Sequence, residues 1–397
     1  MNPDLERLQS YPFQKLAALL EGVQPAPGRP LIPLYIGEPR HPTPEFIKQA
    51  LIEHLSGLAS YPPTLGPDAL RVAIARWLER RYGLTAVDPD TQVIPVNGSR
   101  EALFAIGQAV LDATRPGAAV VSQNPFYQIY EGAALLAGAT PYYLNNLPVN
   151  GYAFDFEQLP ESVWRRAQLV YVCSPSNPTG YVMSLADWER LFALSDRYGF
   201  VIASDECYSE IYLDEAHPPL GSLEAAQKLG RAGYPRLIMF SSLSKRSNVP
   251  GMRSGFVAGD AQILKAFLLY RTYQGCAMSP PYCMASIAAW NDEAHVVENR
   301  RLYREKFTAA LDILQPVLDA YLPGGGFYLW PETPVSDTEF TRRLYATQAV
   351  SVLPGSYLGR EAHGTNPGAG RVRIALVSGT AECVESARRI RAFVETL

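Results

Sequence analysis

Residues 241–256 read SSLSKRSNVPGMRSGF. A single lysine, Lys245, sits among serines, and Arg253 follows eight positions later between Met252 and a Ser-Gly pair. Apolar runs flank the stretch, RLIMF before it and GFVAG after it. A lysine in a loop is ordinarily a solvated surface charge. This one lies on a short connection between two runs that read as buried strands, so its placement asks for a reason.

Outward from that stretch, short apolar runs alternate with helical ones from about residue 90 onward. TQVIPV, AAVVS, QLVYVCS, FVIAS, RLIMFSS and GFVAG read as strands. SREALFAIGQAVLDA and YQIYEGAALLAG carry apolar residues three and four apart and read as helices. Ser184 reads as the N-cap of LADWERLFALSDRYG, with Gly199 as its stop. Such alternation predicts a mostly parallel sheet with helices on both faces. The ends differ. The first 45 residues or so are proline-rich, and the stretch after about residue 290 opens with a long helical pattern. It continues through GGGFYLW, AVSVLP and RVRIALV to a closing helix. Both termini together predict a smaller α+β layer.

Ligands of open α/β sheets bind at the carboxyl ends of the strands, so the residues just past each strand are the candidates for a site. After TQVIPV come Asn97, Gly98, Ser99 and Arg100, opening a helix whose free N–H groups suit an anion; Ser99 is equally a plain N-cap. After AAVVS, Phe126, Tyr127 and Tyr130 crowd together, and Tyr127 offers a ring for stacking or for the core. After QLVYVCS, PSNPTG is a turn in which Asn177 can donate a hydrogen bond and the Asn-Pro bond is a candidate for the cis form. After FVIAS, Asp205 ends a strand and either seeks a cation or caps a helix over ECYSEIY. After RLIMFSS stand Ser242, Ser244, Lys245 and Arg253. A lysine beside an anion cradle, with a carboxylate from the neighbouring strand, suits a Schiff base with an aldehyde cofactor.

The totals agree with an ordinary globular protein of two domains or one large α/β unit: 397 residues, 47% hydrophobic, 19% charged, net charge -4. The mild acidity gives no reason to expect nucleic acid or a membrane surface as partner. Five cysteines with no C-x-x-C pair read as reduced thiols of a cytoplasmic protein. The N-terminus lacks the apolar core of a signal peptide, and no run approaches the roughly 20 apolar residues of a spanning helix. The five histidines show no ligand spacing, so no metal is expected.

In the stretches SLSKRSNVPGMRSGF, SPSNPTG, DECYSEIY, YPPTLGPDALRVAIARWL and VRIALV, in that family's order, the chain resembles the class I/II (fold type I) pyridoxal-phosphate aminotransferases over essentially its whole length. NPFYQIYEGAALLAGATPYYL, IASDECYSEIY and LLYRTYQGCAMSPP are similar to N-succinyldiaminopimelate aminotransferases of bacterial lysine synthesis. The resemblance implies a large cofactor domain at residues 46–288, with a mostly parallel seven-stranded sheet flanked by helices. It also implies a small α+β domain built from residues 1–45 and 289–397. Pyridoxal 5'-phosphate would form an aldimine with Lys245, which would also shuttle the proton. Asp205 would pair with the pyridine nitrogen, Tyr208 and Asn177 with the phenolic oxygen, and Tyr127 would stack on the ring; many relatives have tryptophan there. Gly98, Ser99, Arg100, Ser242, Ser244 and Arg253 would hold the phosphate, joined by Tyr61 from the partner subunit of a homodimer. Arg373 would clamp the substrate's α-carboxylate, and Gly37 would lie over the substrate. The implied reaction is ping-pong transfer between glutamate and N-succinyl-2-amino-6-oxopimelate. Arg40, Arg246, Arg271 and Tyr273 are candidates for a distal anionic group. Another amino-acid specificity and a β-lyase of the same fold remain as alternatives. A DNA-binding regulator finds no room ahead of YPFQKL, and no G-x-G-x-x-G marks a nicotinamide enzyme.

Overall fold

The computed structural model describes residues 1–397. Its centre is a seven-stranded sheet in the order Val93–Val96, Gly255–Gly259, Leu237–Ser242, Val201–Asp205, Ala167–Cys173, Ala119–Asn124, Thr140–Asn145. Six strands run one way, and Gly255–Gly259 runs against both its neighbours. Most of these strands are buried along their whole length, as apolar runs covered on both faces must be. The exception is the edge strand Thr140–Asn145, whose first four residues are exposed or half-buried.

The reversed strand explains residues 241–256. A parallel neighbour needs a crossover of a dozen or more residues, usually a helix, whereas an antiparallel one can return directly. Ser242 pairs with Gly255, so the chain leaves and re-enters the sheet at the same end. Lys245 and Arg253 therefore both sit at the carboxyl end of Leu237–Ser242.

Ser184 caps the helix Leu185–Tyr198 as expected, in a reciprocal box with Asp187, and Gly199 ends it in the left-handed region. ECYSEIY forms a turn and not a helix, so Asp205 is a strand end and caps nothing. The Asn177-Pro178 bond is cis, as are Asn124-Pro125 and Ser174-Pro175.

The rest of the chain packs beside this sheet. Leu353–Pro354, Val372–Ala375 and Tyr328–Leu329 form a three-stranded antiparallel sheet, and Ile32–Pro33 pairs with Val350–Ser351. The helices Ala294–Leu314 and Thr380–Val394 cover it. One apolar cluster joins Ile32 and Leu34 to residues from Tyr303 to Phe393, separate from the two clusters that flank the large sheet. Cys173, Tyr208 and Ile211 reach into it from the large sheet's side. The active-site candidates lie at this junction. No helix is long and apolar enough to cross a membrane.

Candidate active site

A cavity of about 440 Å³ opens where the strands Ala167–Cys173, Val201–Asp205 and Leu237–Ser242 end, so Cys173, Asp205 and Ser242 lie in its wall. That size suits a small ring with its substrate. Lys245 stands on the single turn Leu243–Arg246, which Ser242 caps by accepting Ser244 N–H at 3.0 Å. Its Nζ donates to Gly37 O at 2.8 Å. Burial pulls the lysine down to about 8, Arg373 and Arg253 push the same way, and Cys207 and Glu38 oppose them. This is the free-base tendency that a nucleophilic lysine requires.

Asp205 is 5% exposed and has no cationic partner within ion-pair distance. Tyr130 donates to its Oδ2 at 2.6 Å and Cys207 N–H to its Oδ1 at 3.3 Å. Burial still raises its pKa, against those bonds and the charge of Lys245. A buried carboxylate in that position is costly until a cation arrives. Arg373 is the opposite case. Its Nη1 donates to Asn177 Oδ1 at 3.0 Å and its Nη2 to Tyr35 O at 2.9 Å, but its buried Nε has no acceptor. Because Asn177 Oδ1 is engaged, its amide N–H groups stay free to donate. Tyr208 and Tyr328 share a hydrogen bond of 3.0 Å at the cavity floor.

The anion cradle takes shape around Gly98. This residue has φ +81° and precedes the helix Ser99–Val110, whose first N–H groups no side chain caps. Arg253, exposed and bonded only to Pro250 O at 2.9 Å, packs against it. A Cβ on Gly98 would lie 2.3 Å from Arg253 Nη2. Gly98→Ala is therefore expected to cost ~1–3 kcal/mol through backbone strain and overpacking. It should also loosen cofactor retention on desalting; a variant matching the wild type in thermal melting and retention would remove Gly98 from the cradle.

Of the residues singled out in the sequence, Gly37, Ser99, Arg100, Tyr127, Asn177, Asp205, Tyr208, Ser242, Ser244, Lys245, Arg253 and Arg373 line this one cavity. Gly98 lies directly behind Arg253. Tyr61 is fully exposed and away from it. The Arg100 guanidinium bonds to the hydroxyls of Tyr127 at 2.5 Å and Tyr11 at 3.0 Å.

The distal-anion candidates do not fare as expected. Arg246 is 1% exposed and turned away, held by Glu293 at 2.5 Å and Ala289 O at 2.7 Å. Arg271 is fully buried and grips both oxygens of Glu101 at 2.7 and 2.9 Å. Glu101 in turn accepts Asn97 N–H at 3.0 Å, which pins the strand-to-helix turn. Arg40 points to Glu382 and Ser378, and Tyr273 is exposed; none of the four lines the cavity. Arg271→Ala is expected to lower stability by ~3 kcal/mol, as breaking a buried pair does, and to leave the KM for glutamate unchanged. A raised KM at wild-type stability would reverse that assignment.

Tyr11, Phe13, Glu38 and Tyr328 line the cavity without a motif that marks them. Tyr328 lies in GGGFYLW, and its contact with Gly37 is the only local sign of its place: a Cβ on Gly37 would fall 1.9 Å from the Tyr328 hydroxyl.

An uncompensated buried carboxylate, an orphaned arginine Nε, a lowered lysine and an uncapped helix start fit pyridoxal phosphate at its ring nitrogen, its aldehyde and its phosphate, with a carboxylate-bearing substrate beside it.

Comparison with known proteins agrees. The profile of aminotransferase class I and II matches residues 29–390. The chain is 30% identical to the LL-diaminopimelate aminotransferase of Desulforudis audaxviator over 394 residues, covering 98% of this chain and 96% of that one. An aminotransferase from Neisseria meningitidis Z2491 superposes with a TM-score of 0.96 at 52% identity, covering 99% and 100% of the two chains. Aminotransferase AspB from Helicobacter pylori 26695 gives 0.89 at 33% identity, covering 98% and 100%.

Proposed function

The chain belongs to the class I and II aminotransferases and depends on pyridoxal phosphate, and we propose that it moves an amino group between glutamate and N-succinyl-2-amino-6-oxopimelate. The observation that carries the chemistry is the meeting of Lys245, Asp205, Arg253 and Arg373 in one cavity. The diaminopimelate skeleton is supported by relatives named for it, and the succinylated form by the sequence stretches around Tyr127, Asp205 and Arg271.

When bound, pyridoxal phosphate supplies an aldehyde that captures amines and a ring that withdraws electrons from the adjoining carbon. The residues around it do the rest. Asp205 holds the proton on the ring nitrogen, and Asn177 and Tyr208 donate to the ring oxygen. Tyr127 offers its ring face. Backbone N–H groups of Ser99 and Arg100, the hydroxyls of Ser242 and Ser244, and Arg253 hold the phosphate. Arg373 fixes the substrate's α-carboxylate, for which its planar fork is better suited than a lysine. Lys245 Nζ would take the proton from the substrate's α-carbon and return it to the carbon that the cofactor's aldehyde supplies. The exchange runs as two half-reactions, donor out as keto acid before acceptor in. The Arg100 guanidinium, bonded to phenols and not to an acid, is left for a distal carboxylate.

Residues 46–288 are proposed as the cofactor domain and residues 1–45 with 289–397 as the second, each with its own apolar cluster in support. The protein is proposed to work in the cytoplasm as a homodimer. Ile52, Leu55, Leu58 and Tyr61 are large apolar side chains left exposed within one short stretch, which supports pairing, with Tyr61 completing the partner's phosphate site.

The test is a visible-absorbance titration of the purified holoenzyme with glutamate, aspartate, alanine, phenylalanine, LL-diaminopimelate and its N-succinyl derivative. Glutamate and the succinylated compound should bleach the band, and the others should do little. Bleaching by free LL-diaminopimelate alone would move the substrate to the one in the relatives' name. Bleaching by phenylalanine or alanine would move it further. Pyruvate released from cystathionine without a keto acid would make the protein a lyase.

A further inference from the structure

The segment Tyr35–Thr43 passes the cavity at Ile36, Gly37 and Glu38, and besides the contacts of Arg40 with Glu382 and Ser378 it is tied down at four points. Tyr35 O accepts from Arg373 and Gly37 O from Lys245 Nζ; Thr43 Oγ1 donates to Asn248 O at 2.9 Å. The fourth tie is His41, which lies outside the cavity. Its Nδ1 is 2.6 Å from Asn299 Oδ1, and its Nε2 is 2.5 Å from Lys306 Nζ. Asn299 Nδ2 donates to the main-chain carbonyl of Lys245 at 3.3 Å.

We propose that His41 is a positioning residue for Lys245, coupling the Tyr35–Thr43 segment through Asn299 to the main chain of the reacting lysine, with Lys306 locking the imidazole in the tautomer this requires.

The proton positions follow from the partners. Asn248 Nδ2 also donates to Asn299 Oδ1, at 3.0 Å. A flipped Asn299 amide would set N–H against N–H there and oxygen against the oxygen of Lys245. Asn299 Oδ1 therefore faces His41, and Nδ1 carries the imidazole proton. Nε2 is left with a lone pair, which accepts from the Lys306 ammonium. Lys306 is 1% exposed and has no carboxylate partner; its other acceptor is Val377 O at 3.2 Å, and it lies 4.7 Å from the Tyr303 ring centroid. An unpaired buried ammonium is expensive, and the imidazole lone pair is what satisfies it. Burial lowers the pKa of His41, and so does Lys306, while Asn299 and Glu298 oppose them; the neutral form is favoured. His41 also packs on Tyr303, ring centroids 4.8 Å apart.

The result is a closed loop of restraint. The segment holds Lys245 Nζ through Gly37 O, and the same segment holds the Lys245 main chain through His41 and Asn299. Small misplacements of a group that moves a proton are costly to rate, so both ends of the lysine being referred to one segment has a function. The inference rests on Lys245 being the residue that carries the cofactor.

The experiment uses purified His41→Phe, Asn299→Ala, the double variant and His41→Asn. Phe keeps the packing on Tyr303 without either nitrogen; Asn keeps a donor near the Nδ1 position. The readouts are the pH titration of the visible band of the holoenzyme, the single-turnover rate with glutamate, and the melting temperature. His41→Phe and Asn299→Ala should each slow the single turnover about tenfold, the scale of a lost positioning hydrogen bond. Each should also move the band's titration midpoint by about half a pH unit or more. The double variant should be no worse than the worse single one, because both break the same coupling, and His41→Asn should bring the rate and the midpoint back toward the wild type while melting lower, because Lys306 loses its acceptor at Nε2. Additive losses with an unmoved midpoint would overturn the proposal, as would rates that simply follow melting temperature. If His41→Phe does not fold, Asn299→Ala decides the matter through the same midpoint. A wild-type protein with no visible band after added cofactor would instead overturn the role of Lys245 itself.

Discussion

Lys245→Ala is expected to lose nearly all turnover, about 10⁴-fold or more, the upper end of what a positioned proton-transfer group supplies. In the proposed mechanism two functions would leave with one side chain: the amine that holds the cofactor and the base that moves the proton. Neither Arg246, turned toward Glu293, nor Lys306, on the far side of His41, offers a replacement amine at the cavity. Borohydride treatment followed by mass measurement of the intact chain checks it directly. The wild type should gain the mass of one reduced cofactor, and the variant should gain none. A mass gain in Lys245→Ala would place the linkage elsewhere. The pH dependence has its origin in the same lysine. Capture of pyridoxal phosphate by cofactor-free protein needs the unprotonated amine, whose pKa is lowered to about 8. The capture rate should therefore rise about tenfold per pH unit below that value and level off above it. A solvated lysine would go on rising through pH 9 and 10.

How local each cause is decides whether the sequence reveals it. Residues that close a strand or open the loop after it carry their position in the adjacent apolar run, so Ser99, Asn177, Asp205, Ser242 and Lys245 are all legible as lying at or just past strand ends. The antiparallel return of Gly255–Gly259 is stated by no local pattern, yet it is what sets Arg253 beside Lys245. Edge strand Thr140–Asn145 is hidden because it contains a proline and is only partly buried, as edge strands tolerate. Arg246, a candidate for a distal anionic group, faces away from the cavity for a geometric reason. Successive residues of a helical turn point about 100° apart, from 3.6 residues per turn, so the neighbour of a cavity-facing lysine faces the core. Arg271 misleads because its partner Glu101 lies 170 positions away. Tyr11, Phe13 and Tyr328 come from both ends of the chain, and only tertiary packing brings them to the cavity.

Asp205→Asn is expected to lower kcat about 10²–10³-fold, the loss typical when one preorganised group is removed from a water-excluded site. The substitution is nearly isosteric. Asparagine can still accept from Tyr130 through its carbonyl oxygen, so the hydrogen bond at 2.6 Å has a counterpart. What disappears is the negative charge, which in the proposed mechanism would hold the proton on the cofactor's ring nitrogen and so keep the ring a strong electron sink. In the cofactor-free protein that same charge is a burden, because burial already raises the Asp205 pKa with no cation to offset it. Cofactor-free Asp205→Asn should therefore melt no lower than the cofactor-free wild type, while the holoenzyme loses activity. A cofactor methylated on its ring nitrogen is positive without a proton, and loading the variant with it should recover part of the lost rate. Full activity in Asp205→Asn would show that the ring nitrogen does not depend on this carboxylate. A large fall in melting temperature alongside the lost rate, with no recovery by the methylated cofactor, would make Asp205 a structural residue whose removal damages the site only indirectly.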